Sequence, residues 1–152
     1  MKKVPFPQAN NIELIFSVLN DIGDIGLSKF DVSKKYNIDE RQGSYYLDSL
    51  LYLGFVTKIN TKYFLSDKGI KTRLSAKDEM KLTFISIILE HPFIGTLYKQ
   101  CQTMNSSVKT TFISNRIFNE LGLSNSTSNR RASTIKAWFD WIDETLSKEE
   151  QK

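Results

Sequence analysis

The chain has 152 residues, of which 40% are hydrophobic, 12% aromatic and 25% charged. This composition excludes disorder along the whole length, and the length allows one ordinary domain or two very small ones. The 21 basic and 17 acidic residues give a net charge of +4, which permits a nucleic-acid partner but does not require one.

The sequence carries no targeting or membrane-spanning pattern. Lys2 and Lys3 are not followed by the apolar stretch of a signal peptide, and the longest apolar run, around residues 82–89, is too short to cross a bilayer. The single cysteine, Cys101, excludes an intramolecular disulfide, fits a reducing compartment and is expected to be a buried or idle thiol. We therefore expect a cytoplasmic protein that does not associate with membranes.

Two helices joined by a short turn are predicted near the N-terminus. Apolar residues at helical spacing predict a helix over residues 11–21, and a second, shorter helix is expected over residues 29–36. Asn37 is suited to the left-handed conformation that ends a helix, and Ile38 to plugging the angle between two helices. Asp39 is a good N-cap, with Gln42 three residues later as in a capping box. This order predicts a helix-turn-helix.

The third helix should run from Glu40 to about Leu53, with its buried stripe formed by Gly43, Leu47, Leu50 and Leu51. The opposite face is rich in hydrogen-bond donors: Arg41, Gln42, Tyr45, Ser49 and Tyr52. Arginine and glutamine suit base edges, and tyrosine and serine hydroxyls can hold phosphates. Asp48 lies at the margin of this face and would repel a phosphate backbone. The pattern also fits an ordinary solvated helix face, and both interpretations stay open here.

A β-hairpin is predicted directly after this helix. Residues 55–59 and 62–65 are β-prone, Asn60 and Thr61 form a plausible turn, and Lys58 and Lys62 flank that turn. A hairpin that follows a helix-turn-helix is a wing, and its lysines would meet the DNA backbone. We therefore expect residues 1–75 to form a winged helix-turn-helix.

Residues 76–152 are predicted to be helical, with segments over about 77–90, 93–104, 108–121 and 127–146. His91, before Pro92, is expected to cap a helix or to be partly buried. Gly122 and Leu123 repeat the roles of Asn37 and Ile38, which predicts a unit that is helix-turn-helix-like. The apolar turn residues Ile38 and Leu123 lie 85 positions apart. The large core residues of the two units, such as Leu47 and Ile135, lie 88 positions apart, so the second turn is expected to be about three residues longer.

The outer face of the last helix begins with Asn129, Arg130, Ser133 and Lys136. Basic residues at the start of a helix oppose its dipole, which indicates that Arg130 and Arg131 are present for a partner. With Lys136 they would add a second contact to a DNA backbone. The alternative is that Arg131 packs against the domain while Arg130 is solvated.

No enzyme motif is found. The sequence lacks a phosphate-binding glycine loop, HExxH, a Cys/His cluster and GxSxG. The acidic residues near the end of the last helix are expected to be solvated. We expect neither catalytic nor metal-binding residues, no cofactor and no enzymatic activity.

The segment that begins Arg41-Gln42, Tyr45-Tyr46 and Leu53-Gly54-Phe55-Val56 resembles the winged-helix domains of bacterial regulators. Together with Leu121-Gly122-Leu123-Ser124, Arg130-Arg131-Ala132 and Trp138, it resembles modules attached to bacterial restriction-modification and related defence proteins. The resemblance covers residues 11–146. It implies a DNA-recognition or docking module that accompanies a nuclease or methyltransferase.

The sequence thus predicts a mainly α protein with a small β-hairpin wing that binds double-stranded DNA, in a restriction-type or transcription-regulating protein. The alternative is a protein-docking or dimerisation module on the same fold, with Tyr45, Tyr52 and Trp141 as exposed aromatic anchors. A homodimer through the long final helix would fit either function.

Overall fold

The computed structural model describes residues 6–150 of the chain. Lys2 and Lys3, on which part of the targeting argument rests, lie outside these residues. The fold is mainly helical with one small antiparallel sheet, which confirms the predicted class. The chain divides into two compact units between Met80 and Lys81, inside a helix. The sequence analysis placed this boundary between residues 75 and 76.

The first unit contains all three helices predicted before residue 75, one further short helix and three strands. Its elements, in chain order, are α1 (Ile12–Asp21), β1 (Leu27–Ser28), α2 (Lys29–Tyr36), α3 (Glu40–Tyr52), β2 (Val56–Ile59), β3 (Lys62–Leu65) and α4 (Asp67–Arg73). The strand order in the sheet is β1-β3-β2, with both pairings antiparallel. Strand β1 was not predicted, because two residues carry no periodicity and its partner β3 lies far along the chain.

Helix ends in the first unit are fixed by short polar side chains. Asn11 caps α1 by accepting a hydrogen bond from the Leu14 backbone N–H, and Ser28 with Asp31 forms a capping box at the start of α2. The interior is closed by α1 and α3, whose Ile15, Leu19, Leu47 and Leu50 side chains are fully buried. Phe55, which follows α3, is fully buried as well.

The second unit consists of helices joined by short turns, and its described residues include no strand. Its elements are α5 (Lys77–Glu90, whose first residues belong to the first unit), α6 (Pro92–Cys101), α7 (Ser106–Leu121) and α8 (Asn125–Glu150). His91 is the N-cap of α6, and its Nδ1 accepts hydrogen bonds of 3.2 Å from the backbone N–H groups of Phe93 and Ile94. The predicted capping role of His91 is therefore confirmed.

Helices α7 and α8 pack against each other around a core that includes Ile113, Ile117, Ile135 and Trp138. Cys101 is buried, as expected. Within residues 6–150 no single helix is long and apolar enough to cross a bilayer. Helices α5 and α6 together would have sufficient length and apolar character, but they are bent by 93° relative to each other.

Candidate functional site

The turn between α2 and α3 fixes the direction in which α3 leaves the core. Asn37 is left-handed (φ 54°), as predicted, and its N–H donates to the Ser33 carbonyl oxygen. Asp39 caps α3, accepting a 2.8 Å hydrogen bond from the Gln42 N–H. Gly43 permits a close crossing of the two helices, because a Cβ there would lie 2.6 Å from the Lys29 carbonyl oxygen. These contacts hold the first turn of α3 in one orientation.

Two of the predicted residues project from that first turn into solvent. Arg41 and Gln42 are both exposed. The Arg41 guanidinium lies 6.0 Å from the centroid of the Tyr45 ring, and Tyr45 is half-buried. The α3 face, defined here as Arg41, Gln42, Tyr45 and Asp48, therefore presents a cation and an amide beside an aromatic ring.

Ser49 and Tyr52 do not lie on this face, and their predicted exposure is wrong. Ser49 is fully buried, and its hydroxyl donates to the Tyr45 carbonyl oxygen at 2.8 Å. Tyr52 packs edge-on against Phe6, with ring centroids 5.7 Å apart, and burial raises its pKa to about 12. The chain before α1 lies along this side of α3, so the buried arc of the helix is wider than its sequence pattern indicates.

The hairpin is attached to α3 by a buried tyrosine. The Tyr63 hydroxyl on β3 donates to Asp48 Oδ1 at 2.5 Å, and Tyr63 is only 2% exposed. Burial, with the Asp48 carboxylate as the smaller cause, raises the pKa of Tyr63 well above its usual value, so the phenol keeps its proton. Asp48 thus serves the fold, and its charge is engaged in a hydrogen bond at the edge of the α3 face.

The two hairpin lysines are exposed but differ in their surroundings. Lys58 Nζ lies over the Tyr63 ring, 5.1 Å from its centroid. Lys62 Nζ donates to the Ile25 carbonyl oxygen at 3.3 Å. The charge of Lys62 also contributes to the lowered pKa of Asp31, whose main cause is a hydrogen bond from the Ser28 N–H. Lys58 is therefore the freer cation of the pair.

In the second unit, α8 presents a polar exposed surface over its first turns. We define the α8 face as Asn125, Ser126, Asn129, Arg130 and Ser133, all exposed. Arg130 forms no ion pair within residues 6–150, and its Nη2 reaches only Thr127 Oγ1, at 3.4 Å. Asn129 Oδ1 accepts a 2.5 Å hydrogen bond from the buried Ser114, so part of this side chain is structural.

Arg131 and Lys136 lie beside the α8 face rather than on it. Arg131 is partly buried, with its Nε fully enclosed, which favours the alternative that it packs against the domain. Lys136 forms an ion pair with Asp140 one turn later, at 2.8 Å. Of the three cations predicted for this helix, Arg130 alone projects freely.

Sequence reasoning missed three exposed apolar side chains in the first unit. Ile25, Phe30 and Ile59 are 78%, 53% and 59% exposed. Ile59 pairs with Lys62 in the hairpin, and the Ile25 backbone contacts that same lysine. The available indication in the sequence was Ile59, a single isoleucine next to the predicted Asn60-Thr61 turn. Trp141, proposed as an exposed anchor, is instead partly buried.

A single family model matches a stretch of the chain that includes most of both units. A family model described as a domain of unknown function (DUF7226) matches residues 14–147. The chain belongs to the DUF7226 family. No curated protein and no solved structure matches the chain significantly. The DUF7226 match covers the helix pair α2–α3 and the helix pair α7–α8. Residues 6–150 contain no cluster of three metal-ligating side chains.

Proposed function

We propose that this DUF7226 protein is a non-enzymatic module that binds double-stranded DNA, and that its first unit is a winged helix-turn-helix. One observation carries the proposal. Arg41 and Gln42 project from the first turn of a helix that is fixed by the Asn37 turn and the Gly43 crossing. The hairpin that follows this helix carries two exposed lysines. Exposed donors on a rigid helix of this width suit the major groove.

Each surface has a separate role in this proposal. Arg41 and Gln42 contact base edges, for which bidentate side chains are suited, and Tyr45 supports Arg41 from the side. Lys58 and Lys62 meet phosphates next to the groove, as a hairpin wing does. Arg130 adds a contact from the second unit. Four residues predicted to bind DNA are not part of this proposal, because they are buried or paired: Ser49, Tyr52, Arg131 and Lys136.

The proposed setting is cytoplasmic, in a restriction-type or transcription-regulating protein. A nuclease or methyltransferase partner is part of this proposal only through the resemblance described above. A homodimer is part of it through the long final helix, α8. The exposed side chains of Lys58, Lys62 and Arg130 can neutralise phosphates of a DNA backbone. They would therefore bind a duplex of any sequence before specific contacts form.

Binding to a random-sequence DNA duplex at two salt concentrations tests the proposal. If Lys58, Lys62 and Arg130 each neutralise one phosphate, the slope of log K against log salt is about −2.7. Affinity measured by fluorescence anisotropy should then fall about 40-fold between about 50 and 200 mM salt.

Variants locate the surface. Lys58→Ala should lower the slope by about 0.9 and weaken binding to all sequences alike, and Lys62→Ala should act similarly. Lys148→Ala removes the same charge from an exposed i,i+4 pair at the far end of α8 and should change nothing. Absence of binding at low salt, or equal effects of Lys58→Ala and Lys148→Ala, would contradict the proposed surface.

The exposed apolar residues of the first unit favour a second candidate, a protein-docking surface. Ile25, Phe30 and Ile59 together offer the kind of apolar side chains that interfaces bury. Such an interface releases few counterions, so its affinity depends little on salt. A partner complex, or a homodimer, that Ile59→Ser disrupts and salt does not would support docking over DNA binding.

A further inference from the structure

The second helix pair repeats the first at a constant shift of 85 positions. Gly122 takes the place of Asn37, and both are left-handed, with φ 67° and 54°. Ser124 takes the place of Asp39, and caps α8 by accepting from the Thr127 N–H at 3.2 Å. Each turn contains three residues, 37–39 and 122–124.

The backbone hydrogen bonds of the two turns match as well. The left-handed residue of each turn donates to the carbonyl oxygen of the residue four positions before it, Ser33 or Phe118. The Gly43 and Ser128 N–H groups donate to the carbonyl oxygens of the two N-caps, at 3.0 and 2.8 Å. The expectation of a second turn three residues longer is therefore wrong.

Burial follows the same shift. Position by position, the buried residues of α2 and α3 have buried counterparts in α7 and α8: Val32 and Ile117, Gly43 and Ser128, Leu47 and Ala132, Leu50 and Ile135, Leu53 and Trp138. Gly43, at the crossing of α2 and α3, and its counterpart Ser128 are both small and buried. Hence the same side of α3 and of α8 faces inward, and the same side faces solvent.

This correspondence identifies which α8 residues occupy the positions of the α3 face. Arg41, Tyr45 and Asp48 correspond to Ser126, Arg130 and Ser133, and Ser44 corresponds to Asn129. Gln42 corresponds to Thr127, which is half-buried and is not part of the α8 face. Arg131 corresponds to the half-buried Tyr46, and Lys136 to Leu51, which explains why both lie beside the face. The α8 face consists of hydroxyl, amide and guanidinium groups, the side chains that contact base edges and phosphates.

The charge along α8 indicates an anionic occupant. No Asp or Glu occurs among residues 122–139, whereas Asp140, Asp143, Glu144, Glu149 and Glu150 follow. The helix dipole favours the opposite order, acidic first and basic last, so the helix itself does not require this arrangement. A polyanion over the first turns of α8 would meet donors and a free arginine without opposing carboxylates.

We propose that the α8 face is a second DNA-contacting surface that discriminates bases, so that one chain recognises a site in two parts. The inference rests on the proposed function and extends it from one recognition surface to two. The two faces share geometry but carry different side chains at equivalent positions, so the two parts of the site differ in sequence.

Selection from a duplex library with about 40 random base pairs, close to four helical turns, tests this inference on the full chain. The wild-type protein should enrich sequences with two conserved blocks. The Arg41→Ala/Gln42→Ala variant should lose one block and keep the other, and Arg130→Ala/Ser133→Ala should do the reverse. Each double variant should bind the selected duplex about 5- to 150-fold more weakly, the range for one good base contact.

Arg130→Lys separates base contact from simple charge attraction. It keeps the positive charge but loses the planar donor pair, so it should blur the second block while preserving the salt dependence. Lys148→Ala should leave both blocks intact. A single block, erased by the α3 variant and insensitive to Arg130→Ala, would overturn the inference and leave the proposed function standing. Absence of any DNA binding would overturn both.

Discussion

Replacement of Gly43 by alanine tests the helix crossing that holds α3 in its orientation. The added Cβ would lie 2.6 Å from the Lys29 carbonyl oxygen and 3.5 Å from the Ser33 backbone nitrogen. The nearest neighbour is backbone on α2, so no flexible side chain can move aside. Helix α2 must shift outward until the contact approaches the 3.4 Å at which ordinary packing begins.

Two opposing effects set the magnitude. Overpacking of a tight contact costs about 1–3 kcal/mol. The greater helix propensity of alanine returns about 1 kcal/mol at an interior position. The net loss is about 1 kcal/mol in the free energy of unfolding, equivalent to about 2–8 °C in Tm, with the smaller shift if both units unfold together.

Urea and thermal unfolding followed by circular dichroism measure this loss. Ser44→Ala, on the next residue of α3, gains helix propensity without the clash and should be neutral or slightly stabilising. Gly23→Ala has no atom within 4 Å of the new Cβ and supplies the matched glycine control. A Gly43→Ala protein as stable as these controls would show that the α2–α3 crossing is not as close as described.

Three other predictions, tested with four variants, are equally direct. Asp48→Asn keeps an acceptor for Tyr63 but removes a negative charge beside the α3 face, so DNA affinity in anisotropy should rise for every sequence; unchanged affinity would place DNA elsewhere. Burial lowers the pKa of His91, so its cap is intact above about pH 6.5 and stability should fall as pH drops below that value; His91→Asn, which caps without titrating, should remove this part of the pH dependence of Tm. Asn37→Ala and Gly122→Ala each force alanine into a left-handed turn, and chemical unfolding should register about 1 kcal/mol for both.

Local chemistry made the helix ends predictable from the sequence. The bounds of α2 and α5, the left-handed Asn37 and Gly122, and the caps Asp39 and His91 all depend on residues within a few positions of one another. A cap is defined by one side chain and the backbone of the next turn, so no tertiary information is needed. The predicted hairpin is equally local, since its two strands are adjacent in the chain.

The errors arose where distant residues decide exposure. Tyr52 is covered by Phe6, which lies 46 positions earlier, and no helical periodicity within α3 can reveal that neighbour. Strand β1 exists because Leu27 pairs with Tyr63. The second turn was misjudged because large residues served as anchors, whereas Ala132, fully buried in α8, marks the position equivalent to Leu47.

The two helix pairs are alike in physical roles and unlike in residues. Across the 25 paired positions from Lys29 to Leu53 and from Ser114 to Trp138 no residue is identical. What persists is a left-handed C-cap, an apolar turn residue, an N-cap acceptor and a small buried residue, because each is required to set the angle between the helices. The outward positions carry no such requirement, and there the chemistry changes completely, from Arg41 to Ser126 and from Asp48 to Ser133. If both faces bind DNA, the site recognised by one chain must therefore be asymmetric, and a palindromic selected site would instead require two chains that use the same face.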